Sequence, residues 1–146
     1  MEIISIKDND TYLTEYISLC NQEWGTKKNK DYVQRKLKQI KTEDKVISIL
    51  GLIDNNKLLG FISLFKYDGE EKRELTPWYA TMYVKKEYRH KGYSKLLNDA
   101  ILKEAKSLGY NKVYLKTDLN NYYEKFGAIN IGNYDDKEKL LYFNLK

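Results

Sequence analysis

The chain has 146 residues with one proline, no Ser/Gly linker and no repeat, which suits one domain with one core over residues 1–146. Its lone cysteine and lone histidine, Cys20 and His90, exclude an internal disulfide and leave no cysteine or histidine cluster, so no metal is expected; the longest apolar stretch is far too short to span a membrane. The net charge is +5, but the lysines are interleaved with acids as on a solvated surface, the densest basic run (Lys27 to Lys30) is short, and no nucleic-acid partner is expected.

In chain order, Ile3 to Lys7 reads as a strand and not as a signal peptide, which points to the cytoplasm. Asp8 or Asn9 caps a helix whose Leu13, Tyr16, Ile17 and Cys20 share a face that Trp24 extends. Cys20 reads as a packed helix residue. Gly25 to Lys30 is a polar connection, and Asp31 caps a second helix with Val33, Leu37 and Ile40 on one face. Val46 to Ile53 and Leu58 to Phe65 are apolar strands joined by Asp54-Asn55-Asn56-Lys57, a hairpin signal. A charged loop, Asp68 to Arg73, leads to a strand at Trp78 to Val84. The next helix repeats Leu97, Ile101 and Leu108 on one face and ends at Gly109. Lys112 to Thr117 is a strand, a short helix follows at Tyr122-Tyr123, and Ile129 to Asn133 and Leu140 to Leu145 close the chain around an acidic turn, Asp135-Asp136. The order βααβββαβαββ predicts an α/β (α+β) fold: a mixed, mostly antiparallel sheet flanked by helices on both faces.

Met82 to Leu97 carries the strongest chemical signal. An apolar strand runs into a basic turn with one glycine, and the turn opens into an amphipathic helix. The first amides of a helix have no partner inside it and carry the positive end of its dipole. A glycine there lets the backbone approach a phosphate, so the junction reads as an anion site.

The spacing Arg89-x-x-Gly92-x-Ser94 resembles the acyl-CoA loop of the GCN5-related N-acetyltransferases, in which Gln or Arg stands first, Gly fourth, and Gly or Ala sixth. Ser94 departs at the last place. Leu115 to Ala128 resembles the family's other signature, an aromatic-Tyr pair before x-Lys-x-Gly. Tyr122 and Tyr123 fill the pair, Lys125, Phe126 and Gly127 the ending, and Ala128 stands where Phe or Trp is usual. The resemblance runs from the first hairpin onward; the two N-terminal helices carry no recognisable signature.

The resemblance implies acetyl-CoA as cosubstrate and direct acetyl transfer to a primary amine, without a covalent enzyme intermediate. The pyrophosphate is assigned to the backbone of His90, Lys91, Gly92, Tyr93, Ser94 and Lys95, with charge from Arg89 and Lys91. His90 lies at the wrong end of the cofactor to serve as a base. Met82, Tyr83 and Val84 match the strand that reads the pantetheine arm and supplies an oxyanion N–H. Tyr123 matches the acid that protonates the leaving thiolate, and Tyr122 is assigned to packing. No acid stands in Pro77 to Thr81, where many relatives carry the general base. The nearest, Glu74, Glu71 and Glu70, are loop charges or act through water. Trp78 and Glu74 are the acceptor-side candidates, and the acidic loops at Asp68 to Glu74 and Asp135-Asp136 suit a cationic acceptor. A small molecule or a peptide amine fits equally, and a homodimer is left open. A non-catalytic acyl-CoA-binding or regulatory module is the alternative. A small nucleic-acid-binding domain rests on net charge alone.

Overall fold

The N-terminal strand forms at Glu2–Ser5 (β1) in the computed structural model, which describes residues 1–25, 31–68 and 71–146. The lysine run at 27–30 and Glu70 lie outside the described residues. Helix α1 spans Asp10–Trp24 and is capped by Asn9, whose side chain accepts from the Tyr12 amide. Helix α2 spans Tyr32–Thr42; Asp31 occupies its N-cap position without a side-chain capping bond, so the expected cap is positional only. The hairpin forms as Val46–Asp54 (β2) and Lys57–Phe65 (β3), its turn carried by Asn55 and Asn56 at positive φ. Then come β4 (Trp78–Val84), α3 (Tyr93–Ser107), β5 (Lys112–Thr117), β6 (Ile129–Asn133) and β7 (Lys139–Asn144).

Two details differ from the sequence reading. Helix α3 stops at Ser107, so Leu108 leaves the apolar face and is 51% exposed. The short helix at Tyr122-Tyr123 is a single 3₁₀ turn, Tyr123–Phe126, closed by Gly127. A second 3₁₀ turn, Lys86–Tyr88, precedes the basic turn that leads into α3.

The strands form one seven-stranded sheet in the order β1-β2-β3-β4-β5-β7-β6, antiparallel except between β4 and β5. Both faces are covered, which is why β2 and β3 are apolar almost throughout. On one face Leu50, Leu52, Leu59 and Leu64 pack with Leu97, Ile101 and Ala105 of α3. On the other, Ile49, Leu58 and Phe61 pack with Leu13, Ile17 and Ile40 of α1 and α2. Lys85, just past β4, donates to Glu15 at 2.5 Å and ties α1 to the loop end of the sheet. Among the described residues, no helix is long and apolar enough to cross a membrane.

Candidate functional site

The single parallel pairing is the structural event that opens a site. β4 and β5 meet only at Trp78 opposite Tyr114, where the Tyr114 amide donates to the Pro77 carbonyl at 3.0 Å. Beyond that point the strands part. The Tyr79 ring fills the fork, 5.4 Å from Phe143 and 5.6 Å from Tyr123 between ring centres, and its hydroxyl donates to buried Asn98 of α3 at 2.9 Å. The edge of β4 from Tyr79 to Val84 therefore has no β5 ladder to pair with, and a groove lies along it.

One arm of the groove, about 570 Å³, follows β4 to the start of α3. Met82, Tyr83, Val84, Arg89, His90, Gly92, Tyr93 and Ser94 all line it. Gly92 is the N-cap of α3 at φ +81° and offers no capping side chain, so the first helical amides are open. A Cβ at Gly92 would meet nothing within 4 Å, so the space above it is free for a ligand. This cradle suits a phosphate group.

The basic side chains behave differently from the sequence reading. Lys91 and Lys95 are exposed and do not line the arm, and Lys95 turns to Asp99 one helical turn on, at 2.9 Å. The Arg89 Nε donates to the Val84 carbonyl at 2.7 Å, and its guanidinium lies 5.5 Å from the Tyr83 ring centre. Arg89 thus closes the end of β4 while staying on the arm. Lys125 reaches the arm from the opposite bank, over the Tyr122 ring at 4.5 Å.

The second arm, about 650 Å³, continues from the first past Met82, Leu119 and Tyr123, with Trp24 above it. Its acids are Glu23, Asp68, Asp118 and Glu138, with Lys116 among them. Burial raises the Asp68 carboxyl above its ordinary range, against the pull of Lys116. Glu138 is raised too, by burial first, with Lys116 opposing and Asp135, Asp68 and Asp118 adding. Three acceptor-side expectations need correction. Trp78 is 0% exposed: it packs on Tyr114 and Tyr134 with its indole N–H donating to Leu75, so it supports the fork and walls nothing. Glu74 is exposed and on neither arm, because its loop turns back on β3 through Thr76, which donates to Lys66 at 2.6 Å. Asp135 does not line the arm: it accepts from the amides of Lys137 and Glu138 at 2.8 Å, and its charge reaches the arm only through Glu138.

Tyr123 stands where the arms meet. Its hydroxyl makes no hydrogen bond to any described residue. Burial, with help from Tyr122, pushes its phenol up to about 12. Tyr122 is not remote from the site: it lines the first arm and meets Tyr123 edge-on at 4.8 Å. Cys20 is half-buried, and burial pushes its thiol up to about 12, which removes it as a nucleophile at neutral pH.

Across the fork, β4 carries a bulge that no sequence pattern announces. Phe61 pairs with Tyr83 and Ser63 with Ala80, so Thr81 and Met82 together oppose Ile62. Thr81 has φ +53°, a region that costs a β-branched residue on the order of 1–3 kcal/mol. Trp24, Leu119, Asp118 and Glu138 were missed as well. The one sequence clue was Trp24, a large aromatic at the polar end of α1, which is 54% exposed.

The family model for the acetyltransferase (GNAT) family matches residues 11–128. No curated protein sequence matches the chain. Among solved structures, an aminoglycoside 6'-N-acetyltransferase complexed with coenzyme A is similar at 17% identity, over 100% of this chain and 98% of that one, with a TM-score of 0.76. The aminoglycoside 6'-N-acetyltransferase from Enterococcus faecium is 18% identical over 100% and 98%, with a TM-score of 0.70. A Salmonella typhimurium protein solved with its cofactor acetyl-CoA is 14% identical over 100% and 94%, with a TM-score of 0.72. At these identities the likeness is one of fold.

Proposed function

The chain belongs to the acetyltransferase (GNAT) family, whose cosubstrate is acetyl-CoA, and on that premise we propose that it transfers the acetyl group directly to a primary amine on a small cationic acceptor. The observation that carries this reading is the fork between β4 and β5. It joins a phosphate cradle, an unpaired strand edge, a phenol with no hydrogen bond among the described residues and an acid-lined arm in one continuous groove.

Each part has a physical task. The open amides at the start of α3 hold the pyrophosphate, with positive charge from Arg89 and Lys125. The edge of β4 at Met82, Tyr83 and Val84 reads the amides of the pantetheine arm as a neighbouring strand would. A backbone N–H at the bulge faces the thioester oxygen as negative charge grows on it. The amine enters along the second arm, where Asp68, Asp118 and Glu138 favour a cation. Asp68 and Glu138, both raised, are better proton acceptors than ordinary carboxylates and take the ammonium proton directly or through water. Tyr123 protonates the departing thiolate. These roles fill the base that the sequence left unassigned.

The test is a panel of amines incubated with acetyl-CoA, following released thiol and acetylated product. Polyamines, aminoglycosides and amino acid amides should be acetylated, with neutral and anionic amines poorer. Coenzyme A binding without turnover on any amine would overturn the enzymatic reading in favour of a binding module.

A further inference from the structure

Beside the bulge, three hydroxyls from three elements close on one another. The Tyr16 phenol of α1 lies 2.7 Å from the Ser63 hydroxyl of β3 and 3.2 Å from the Thr81 hydroxyl of β4. Ser63 and Thr81 are 2.5 Å apart. Tyr16 is 4% exposed and Ser63 0%. A hydroxyl donates one hydrogen bond and accepts others, so the three hydroxyls satisfy one another with no backbone help, and the Cys20 thiol adds a contact to the Tyr16 phenol. Nothing in the mechanism above uses these groups as acids, bases or ligands. All three nevertheless converge on the one residue of β4 that is held at positive φ.

We propose that Tyr16, Ser63 and Thr81 are positioning residues for acetyl transfer: their hydroxyl ring holds the β4 bulge in the shape that aims the Met82 backbone at the transferring carbonyl. This rests on the reading of the fork as the transfer site. The bulge is the only place in β4 where two residues oppose one, and Met82, the second of them, lines both arms of the groove. A bulge held only by its ladder would relieve Thr81 by letting it return to extended φ, and the extra residue would slide along β4. The ring blocks that path. It fixes the Thr81 side chain from two sides, against the β3 neighbour and against a helix anchored elsewhere by the Lys85–Glu15 ion pair. Burial holds the Tyr16 phenol above the ordinary tyrosine range, so it stays neutral and its hydroxyl remains engaged with Ser63 and Thr81.

The experiment compares Thr81→Val, which keeps the branched shape and loses the hydroxyl, with Thr81→Ser, which keeps the hydroxyl and loses the methyl. Tyr16→Phe and Ser63→Ala open the ring from the other two sides. For acetyl transfer to the best amine, Thr81→Val should lower kcat by about 10- to 100-fold, the scale of a misaimed rather than deleted oxyanion donor. Coenzyme A affinity should fall much less than kcat, because the open amides at the start of α3, which the substitution does not touch, still hold the phosphates. Thr81→Ser should retain most of kcat. Unchanged kcat in folded Thr81→Val, an equal fall in Thr81→Ser, or a parallel loss of coenzyme A affinity would each overturn the proposal. Should wild-type protein acetylate no amine, the reading of the site fails separately. The ¹⁵N shift of the Met82 amide on adding acetyl-CoA then decides the positioning claim: it should be present in wild type and Thr81→Ser and lost in Thr81→Val, and its survival in Thr81→Val would refute it.

Discussion

Replacing Tyr123 by Phe tests the acid directly. The hydroxyl has no partner among the described residues, and the ring keeps its edge-on contacts with Tyr79 at 5.6 Å and Tyr122 at 4.8 Å. Removing one unbonded oxygen should therefore leave the melting temperature nearly unchanged. The catalytic cost is larger. Positioned acid catalysis contributes roughly 10²–10⁴-fold. A phenol pushed up to about 12 is a weak donor to a thiolate whose acid has a pKa of about 8.5, so the transfer is uphill by about 3.5 units, or about 5 kcal/mol, before the sulfur is itself desolvated. That places the expected fall in kcat near the lower end, about 10²-fold. The same shift fixes the pH behaviour. The folded value lies above the ordinary tyrosine value of about 10, so the proton stays on at every pH below it, and loss of the acid begins only as pH approaches 12. Rates should rise with pH as the acceptor amine deprotonates, with no alkaline decline attributable to Tyr123 below about pH 10.5. Released thiol gives kcat, and calorimetry with coenzyme A gives affinity, which should barely move. Tyr122→Phe is a demanding control because its ring lies on the same groove. Equal, small losses in the two variants would show that Tyr123 only packs and that the thiolate leaves unassisted.

Gly92→Glu adds a side chain and negative charge where the helix amides are open and forces φ +81° on a non-glycine residue. Coenzyme A affinity should fall at least tenfold (on the order of 1.4 kcal/mol) in the folded variant, and unchanged affinity by calorimetry would remove this loop from the cofactor site. Gly60→Ala places a Cβ 2.6 Å from the Tyr83 carbonyl, so β4 must shift; the variant should melt lower and bind coenzyme A more weakly, and wild-type values for both would show that β4 yields freely. Asp68→Asn with Glu138→Gln should lower kcat, as the proton acceptors are lost, and raise KM for a cationic amine, with little change for acetyl-CoA. Because burial raises both carboxyls above their ordinary range, the charged forms cost stability in the native state above their folded values, so the double variant should melt no lower than wild type at pH 7. An unaltered amine KM would separate the acidic arm from the acceptor.

The elements were legible because the patterns that define them are local. β2 and β3 are continuous apolar runs joined by an Asn-rich turn, α1 and α3 repeat apolar residues at helical spacing, and the phosphate loop is a contiguous string ending in the glycine that must take positive φ. What failed depends on residues distant in sequence. Whether Trp78 walls a pocket or fills a core is decided by Tyr114 and Tyr134, which arrive from β5 and from beyond β6. Whether an acid faces the acceptor is decided by where β5 and the β6–β7 turn end, which brought forward Asp118 and Glu138 and left Glu74 outside. That Arg89 also closes the end of β4 is a matter of which carbonyl the last residue of β4 leaves for its Nε.

The bulge at Thr81 is the sharpest case. Threonine is a good strand residue, so its type argues for extended φ, and nothing in Trp78 to Val84 marks a break in alternation. The left-handed backbone there coincides with hydrogen bonds to groups 18 and 65 positions earlier, the hydroxyls of Ser63 and Tyr16. Local preference and tertiary contact disagree at this one residue, and tertiary contact wins. Such a disagreement is sustained only where the surroundings over-determine the conformation, and here they do so beside the fork that opens the groove.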